Sequence, residues 1–223
     1  MFQLLLAILI GLAPAPVAAQ DPAKISPKDN KVEIENAWVR VLRVKRGPHE
    51  KTPMHEYPAS VVVHLTDYHQ RITGADGKVQ IVSRNAGEVS YTDAVKHAEE
   101  NLSDQPFEAV VVELKPGVPK GLSWPLPLDP VRLDPQYVTV LFENDRVRVL
   151  RTIHEPHIKS PLHEHPHYVV VYLTDLHTTM TLADGRQVDN PRKPGDIAWR
   201  DALKHVTENI GDRTAVEIQV ELK

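Results

Sequence analysis

Three histidines stand at spacing two in the segment PLHEHPHYVVVYLTD: His163, His165 and His167. In an extended chain, residues i, i+2 and i+4 share a face, so a strand here would line one wall with imidazoles. Neutral imidazole binds Zn, Fe, Ni and Cu, and a site typically draws its ligands from two or more strands. His205, further along the chain, is the natural supplier from a second strand. We therefore take His163, His165 and His205 as candidate metal ligands. His167 is either a pocket residue or a substitute ligand. With an ordinary pKa near 6.5 it suits proton transfer, which makes it the candidate catalytic residue. The chain has 12 His but no Cys, which excludes thiolate metal sites, Cys nucleophiles and disulfides. His49, His69, His154, His157 and His177 stand apart and read as surface or hydrogen-bonded side chains.

These side chains need strands to carry them, and the chain supplies two sets. Slid against itself, the sequence matches without a gap at a constant offset of 108. VRVLR at 39–43 returns at 147–151, HE at 55–56 at 163–164, VVV at 61–63 at 169–171, ADG at 75–77 at 183–185, and VELK at 112–115 at 220–223. A period this long marks two homologous domains rather than a solenoid of short repeats. We place domain 1 at 31–115 and domain 2 at 139–223, with an N-terminal linker at 20–30. Residues 116–138, with six prolines, form a semi-rigid connection. Short β-branched runs such as VVVYL and VEIQVEL, with Asp-Gly turns at 76–77 and 184–185, predict hairpins in a sandwich or small barrel. Residues 88–102 and 196–210 are the exception. They contain helix formers, and Ala198, Ala202, Leu203 and Val206 could make a helical stripe, so propensity fits a helix there as well as a strand.

The ordered set of HxH, Asp-Gly hairpin, Pro194-Gly195-Asp196 and HxxxN resembles the cupin family. His163 and His165 match its first motif, and His205 with Asn209 matches its second. The resemblance covers nearly the whole chain after residue 30 and implies an all-β protein of two tandem cupin jelly-roll (double-stranded β-helix) barrels, a bicupin. It turns 196–210 from helix to strand and turn. It also implies one divalent metal ion, with Zn, Fe, Mn and Ni left open, and a small-molecule ligand. Compatible reactions are oxygenation, elimination and isomerisation next to a carbonyl, and a homodimer through barrel edges is the assembly the family suggests. The alternative function is a non-catalytic ligand-binding or structural barrel. The family's glutamate would fall at 169 or 170, where this chain has Val169 and Val170. Alternation points Glu164 away from its histidine neighbours. Three neutral imidazoles would leave the ion's charge uncompensated and favour an anionic ligand, unless a carboxylate such as Asp201 or Glu208 arrives from elsewhere. In domain 1, His55 and His97 persist, but Tyr57 and Ala59 stand where domain 2 has His165 and His167. Domain 1 is accordingly expected to be metal-free or weakly occupied.

Lysine and arginine (26) fall below aspartate and glutamate (30), giving a net charge of -4 with no basic block, which argues against nucleic acid as a partner. Residues 1–19 read as a signal peptide: an apolar run from Phe2 to Ile10, interrupted only by Gln3, then Gly11, Pro14, Pro16 and the small series Val17-Ala18-Ala19. Cleavage there would leave an exported chain beginning at Gln20, periplasmic or secreted, with no membrane segment. Tyr172 and His64 are expected to be outer packing residues. Trp38, Trp124 and Trp199 are expected to be core or interdomain anchors, and Arg40, Arg43, Arg148 and Arg151 to sit at solvated edges or in salt bridges. No nucleophile elbow, phosphate loop or dinucleotide fingerprint is present.

Overall fold

A computed structural model describes residues 20–117 and 124–223; the expected signal peptide lies outside them. The first half contains α1 (Pro22–Ile25) and strands β1 (Asn30–Glu35), β2 (Val39–Arg46), β3 (Lys51–Tyr57), β4 (Ser60–His64), β5 (Tyr68–Gly74), β6 (Val79–Arg84), β7 (Val89–Thr92), β8 (Val95–Asn101) and β9 (Phe107–Leu114). The second half contains α2 (Pro130–Leu133) and β10 (Val138–Glu143), β11 (Val147–His154), β12 (His163–His165), β13 (Tyr168–Tyr172), β14 (Leu176–Leu182), β15 (Gln187–Arg192), β16 (Ile197–Arg200), β17 (Leu203–Asn209) and β18 (Ala215–Leu222).

The pairing is nested. β2 pairs with β9, β3 with β8, β4 with β7 and β5 with β6, all antiparallel. The second half repeats this as β11 with β18, β12 with β17, β13 with β16 and β14 with β15. A long hairpin folded back on itself in this way is a jelly roll. Each half has a five-stranded sheet (β1-β2-β9-β4-β7, then β10-β11-β18-β13-β16) and a four-stranded sheet (β3-β8-β5-β6, then β12-β17-β14-β15). The segments whose propensity also fitted helix are strands. β17 is held between β12 and β14, and ladder bonds on both sides outweigh the local preference.

Local chemistry explains the punctuation. The Asp-Gly turns join β5 to β6 and β14 to β15 with Gly77 and Gly185 at φ near +79° and +84°, a region that glycine enters without a Cβ clash. Both short helices start alike: Asp21 and Asp129 accept hydrogen bonds from the amides of Ala23 and Val131, and Pro22 and Pro130 follow as the first helical residues.

The main apolar core lies between the two halves. Val39, Val41, Val61, Val63, Val110 and Val112 from the first five-stranded sheet cluster with Val147, Val149, Val169, Val171, Ile218 and Val220 from the second. Trp38 and Trp199 pack against this cluster, as anchors should. The other face of each sheet looks into its own barrel, where Leu42, Val44, Phe107 and Val111 form one cluster and Tyr168, Val170 and Tyr172 another. Strands covered on both faces explain the unbroken valine runs.

Candidate metal centre

β12 and β17 pair so that His163 lies opposite His205. Directly opposed residues on one face of an antiparallel pair touch, and His165, two residues along, completes the group. Ring centroids are 4.4 Å apart for His163 and His205, 4.9 Å for His163 and His165, and 5.4 Å for His165 and His205. One ring nitrogen from each lies within 4.8 Å of the others, and all three residues are buried. They line a small cavity of about 40 Å³ with Tyr137, His154, Arg200 and Glu217.

The nitrogens are prepared as donors. Nδ1–H of His163 donates to the Pro161 carbonyl at 2.8 Å, and Nδ1–H of His165 to Oε1 of Glu221 at 2.6 Å. Each bond commits the proton to Nδ1 and leaves the Nε2 lone pair free. Nε2 of His165 and Nδ1 of His205 are buried without a hydrogen-bond partner among the described residues. Burial lowers the pKa of all three imidazoles, and in His205 the neighbouring His165 and His163 lower it further. Three neutral imidazoles, two of them with a buried nitrogen left unpaired, fit a divalent cation, which would repay the cost of burying those atoms.

No family model matches the chain. No curated protein matches it either. Solved structures do. AerE from Microcystis aeruginosa is similar over 87% of this chain and 97% of its own, at 11% identity and a TM-score of 0.61. A variant of oxalate decarboxylase from Bacillus subtilis is similar over 87% of this chain and 75% of its own, at 14% identity and a TM-score of 0.58. A cupin domain from Bordetella pertussis shares 27% identity over 39% of this chain and 91% of its own, with a TM-score of 0.36. The fold is that of a bicupin. The resemblance read from the HxH and HxxxN motifs therefore holds for the fold.

Two placements in the structure correct the sequence reading. His167 does not share the wall of His163 and His165: its ring stacks on Trp199 at 5.8 Å and its Nδ1 lies 3.3 Å from Asp201, outside the cavity. Tyr172 and His64 are not outer packing residues. They are buried and line the barrel cavities of the second and first halves. Both corrections have one cause. The chain leaves a four-stranded sheet after Tyr57 and again after His165 and enters a five-stranded sheet at Ser60 and at Tyr168, so alternation counted across Pro58 or Pro166 loses its phase.

Glu164 behaves as alternation requires. It points away from the histidines, accepts the Leu128 amide and sits 3.2 Å from Lys204. Asp201 and Glu208 stay outside: Asp201 accepts from the Trp199 indole, and Glu208 meets Lys159. The carboxylates come instead from β18. Glu221 stands behind His165 and is bound by Arg148, which also grips Asp129. Burial pushes the Glu221 carboxyl up to about 7 against the opposing pull of Arg148. Glu217 is buried, which raises its pKa, but His154 at 3.5 Å and a hydrogen bond from Gln219 outweigh that and hold it low. Arg200 reaches the cavity from β16 and donates to Asn190.

Sequence reasoning missed Glu217, Gln219, Glu221, His154 and Arg200. A signal existed for the first two. At the offset of 108, Glu217 and Gln219 replace Ala109 and Val111, so the second copy has placed polar groups where the first is apolar.

Proposed function

We propose that this bicupin is an exported protein whose C-terminal barrel holds one divalent metal through His163, His165 and His205 and acts as an enzyme on a small, oxygen-rich, anionic substrate. The convergence of three buried, neutral imidazoles, with ligand nitrogens within 4.8 Å of one another, carries the reading. When bound, such an ion supplies Lewis acidity and stabilises negative charge developing on a substrate oxygen. The chain's own groups supply the rest. Among the residues lining the cavity Arg200 is the guanidinium, suited to orient a carboxylate. Glu217, kept ionised by His154 beside it, can act as a base toward a substrate proton. Tyr168, Tyr172 and Met180 form walls that exclude bulk water. The small cavity volume supports a substrate of few atoms, and the compatible reactions remain oxygenation, elimination and isomerisation next to a carbonyl. Similarity of fold to oxalate decarboxylase, a protein described with Mn(II) centres, supports both a carboxylate substrate class and manganese among the candidate metals. Export rests on residues 1–19, and a secreted chain is expected to begin at Gln20.

The test is metal content and turnover of the chain lacking residues 1–19, against the double variant His163→Ala/His205→Ala, on a panel of hydroxy acids, keto acids, uronates and phenols. The double variant is expected to lose one ion per chain and all turnover. Unchanged metal content would end the proposal. An ion bound without turnover of any panel member would favour a barrel that binds ligands without catalysis.

A further inference from the structure

The first barrel contains a group that the motif comparison did not count. β3 and β8 pair with His55 opposite His97, as β12 and β17 do with His163 and His205. The third histidine of the second barrel is replaced by Tyr57, whose hydroxyl turns to Asn30. A carboxylate comes from another direction. Glu99 lies two residues beyond His97 on the same face of β8, where the second copy has Thr207. Its Oε1 is 3.3 Å from Nε2 of His97 and its Oε2 is 3.9 Å from Nε2 of His55. The ligand atoms of the three residues all lie within 4.8 Å of one another.

We propose that the N-terminal barrel is a second divalent-metal site, with His55, His97 and Glu99 as its protein ligands. His55 is fully buried, and its Nδ1–H donates to the Pro53 carbonyl at 2.8 Å, the same orienting bond that His163 makes to Pro161. That leaves Nε2 as a lone-pair donor aimed at Glu99, without a hydrogen-bond partner among the described residues. The rival role for Glu99 is as counterion to buried Arg46, 3.8 Å away. Arg46 donates through its two terminal nitrogens to Asn30 and to the carbonyls of Asp29 and Lys45, so Glu99 stands to it as a charge at 3.8 Å rather than as a hydrogen-bond acceptor, and its carboxylate oxygens stay turned to the two imidazoles. Two imidazoles and one carboxylate leave several positions of an ion open, a donor set suited to Fe(II) and related divalent ions. His97 and Glu99 also line a cavity of about 240 Å³ with Tyr68, Ile72, Val82, Phe107 and Val111, so a ligand completing the site would have a largely apolar body. The two barrels would thus differ in charge: a carboxylate among the ligands of the first, none among those of the second.

Co²⁺ titration of the chain lacking residues 1–19, followed by elemental analysis and visible absorption, tests this independently of the second barrel. The parent is expected to bind two ions per chain. Glu99→Thr, which installs the residue that the second copy carries at this position, is expected to bind one, retained at the C-terminal site and reporting that the chain has folded. His163→Ala/His205→Ala is expected to bind the other, with a different absorption spectrum, and the triple variant none. If Glu99→Thr fails to fold, His55→Asn, whose amide can keep the bond to Pro53, replaces it with the same expectation. The proposal is overturned if Glu99→Thr binds as many ions as the parent, or if the parent binds a single ion that vanishes in His163→Ala/His205→Ala.

Discussion

His64 ends β4 against the edge of Tyr68 at 4.9 Å, with its Nε2 3.4 Å from the Ser90 hydroxyl. Burial, assisted by Arg84 and opposed by Glu88, lowers its pKa from 6.5 to about 4. The folded chain therefore keeps His64 neutral while the unfolded chain takes up a proton as pH falls through 6.5. Stability is lost between about pH 6.5 and 4, with no further loss from this residue below that, by about 3 kcal/mol at most. Urea midpoints at pH 7 and 4.5 check this: His64→Gln should show a smaller acid loss than the parent by about 2 kcal/mol. Single residues were legible where their partners lie in the motif itself. His163 and His165 could be grouped from spacing, because a strand's period of two fixes which side chains share a face, and His205 was added as the ligand a second strand must supply. Glu99 could not, because nothing in the local pattern says that Tyr57 yields the third place to a residue on a neighbouring strand.

At the scale of elements, β18 organises the second barrel by presenting different chemistry on its two faces. Ile218, Val220 and Leu222 join the inter-sheet core, while Glu217, Gln219 and Glu221 are buried on the barrel side. Arg148 on β11 ties this strand to the cap of α2, since it bonds Glu221 and Asp129 together. Replacing Arg148 by Met would strand a fully buried carboxylate, at a cost of about 3–5 kcal/mol. Arg40→Met removes the equivalent link to Glu113 and Asp21, but the Arg40 side chain is 18% exposed against 4% for Arg148, so the loss should be smaller. Chemical denaturation of both variants measures the difference. The alternating pattern of VEIQVEL announces a strand with a polar face. It does not say whether that face meets solvent or a polar cavity, because water and buried partners satisfy the same side chains. The helix-like composition of 196–210 is the opposite case, in which pairing on both sides of β17 overrides what the residues prefer alone.

At the scale of the whole molecule, the two barrels are joined through their most apolar surfaces. The sheet faces carrying Val39, Val41, Val110 and Val112 in one half and Val147, Val149, Ile218 and Val220 in the other bury each other, and removing that apolar surface from water holds the halves together. Produced separately as 20–117 and 124–223, each half would expose a continuous valine face, which soluble monomers rarely carry. We expect each half to self-associate or precipitate and the two to recover a monodisperse 1:1 complex when refolded together; size-exclusion chromatography with light scattering would read the outcome, and two stable monomeric halves would refute it. By itself the sequence determined the duplication, the strand-rich class, the turns and the shared face of His163 and His165, because these follow from period and local stereochemistry, which neighbouring residues set. Only the tertiary structure decided which face of each strand meets its partner barrel and which meets the cavity. It alone turned His167 outward and brought Glu99, Glu217 and Glu221 in, because those assignments depend on where the chain changes sheets and on contacts between strands far apart in sequence.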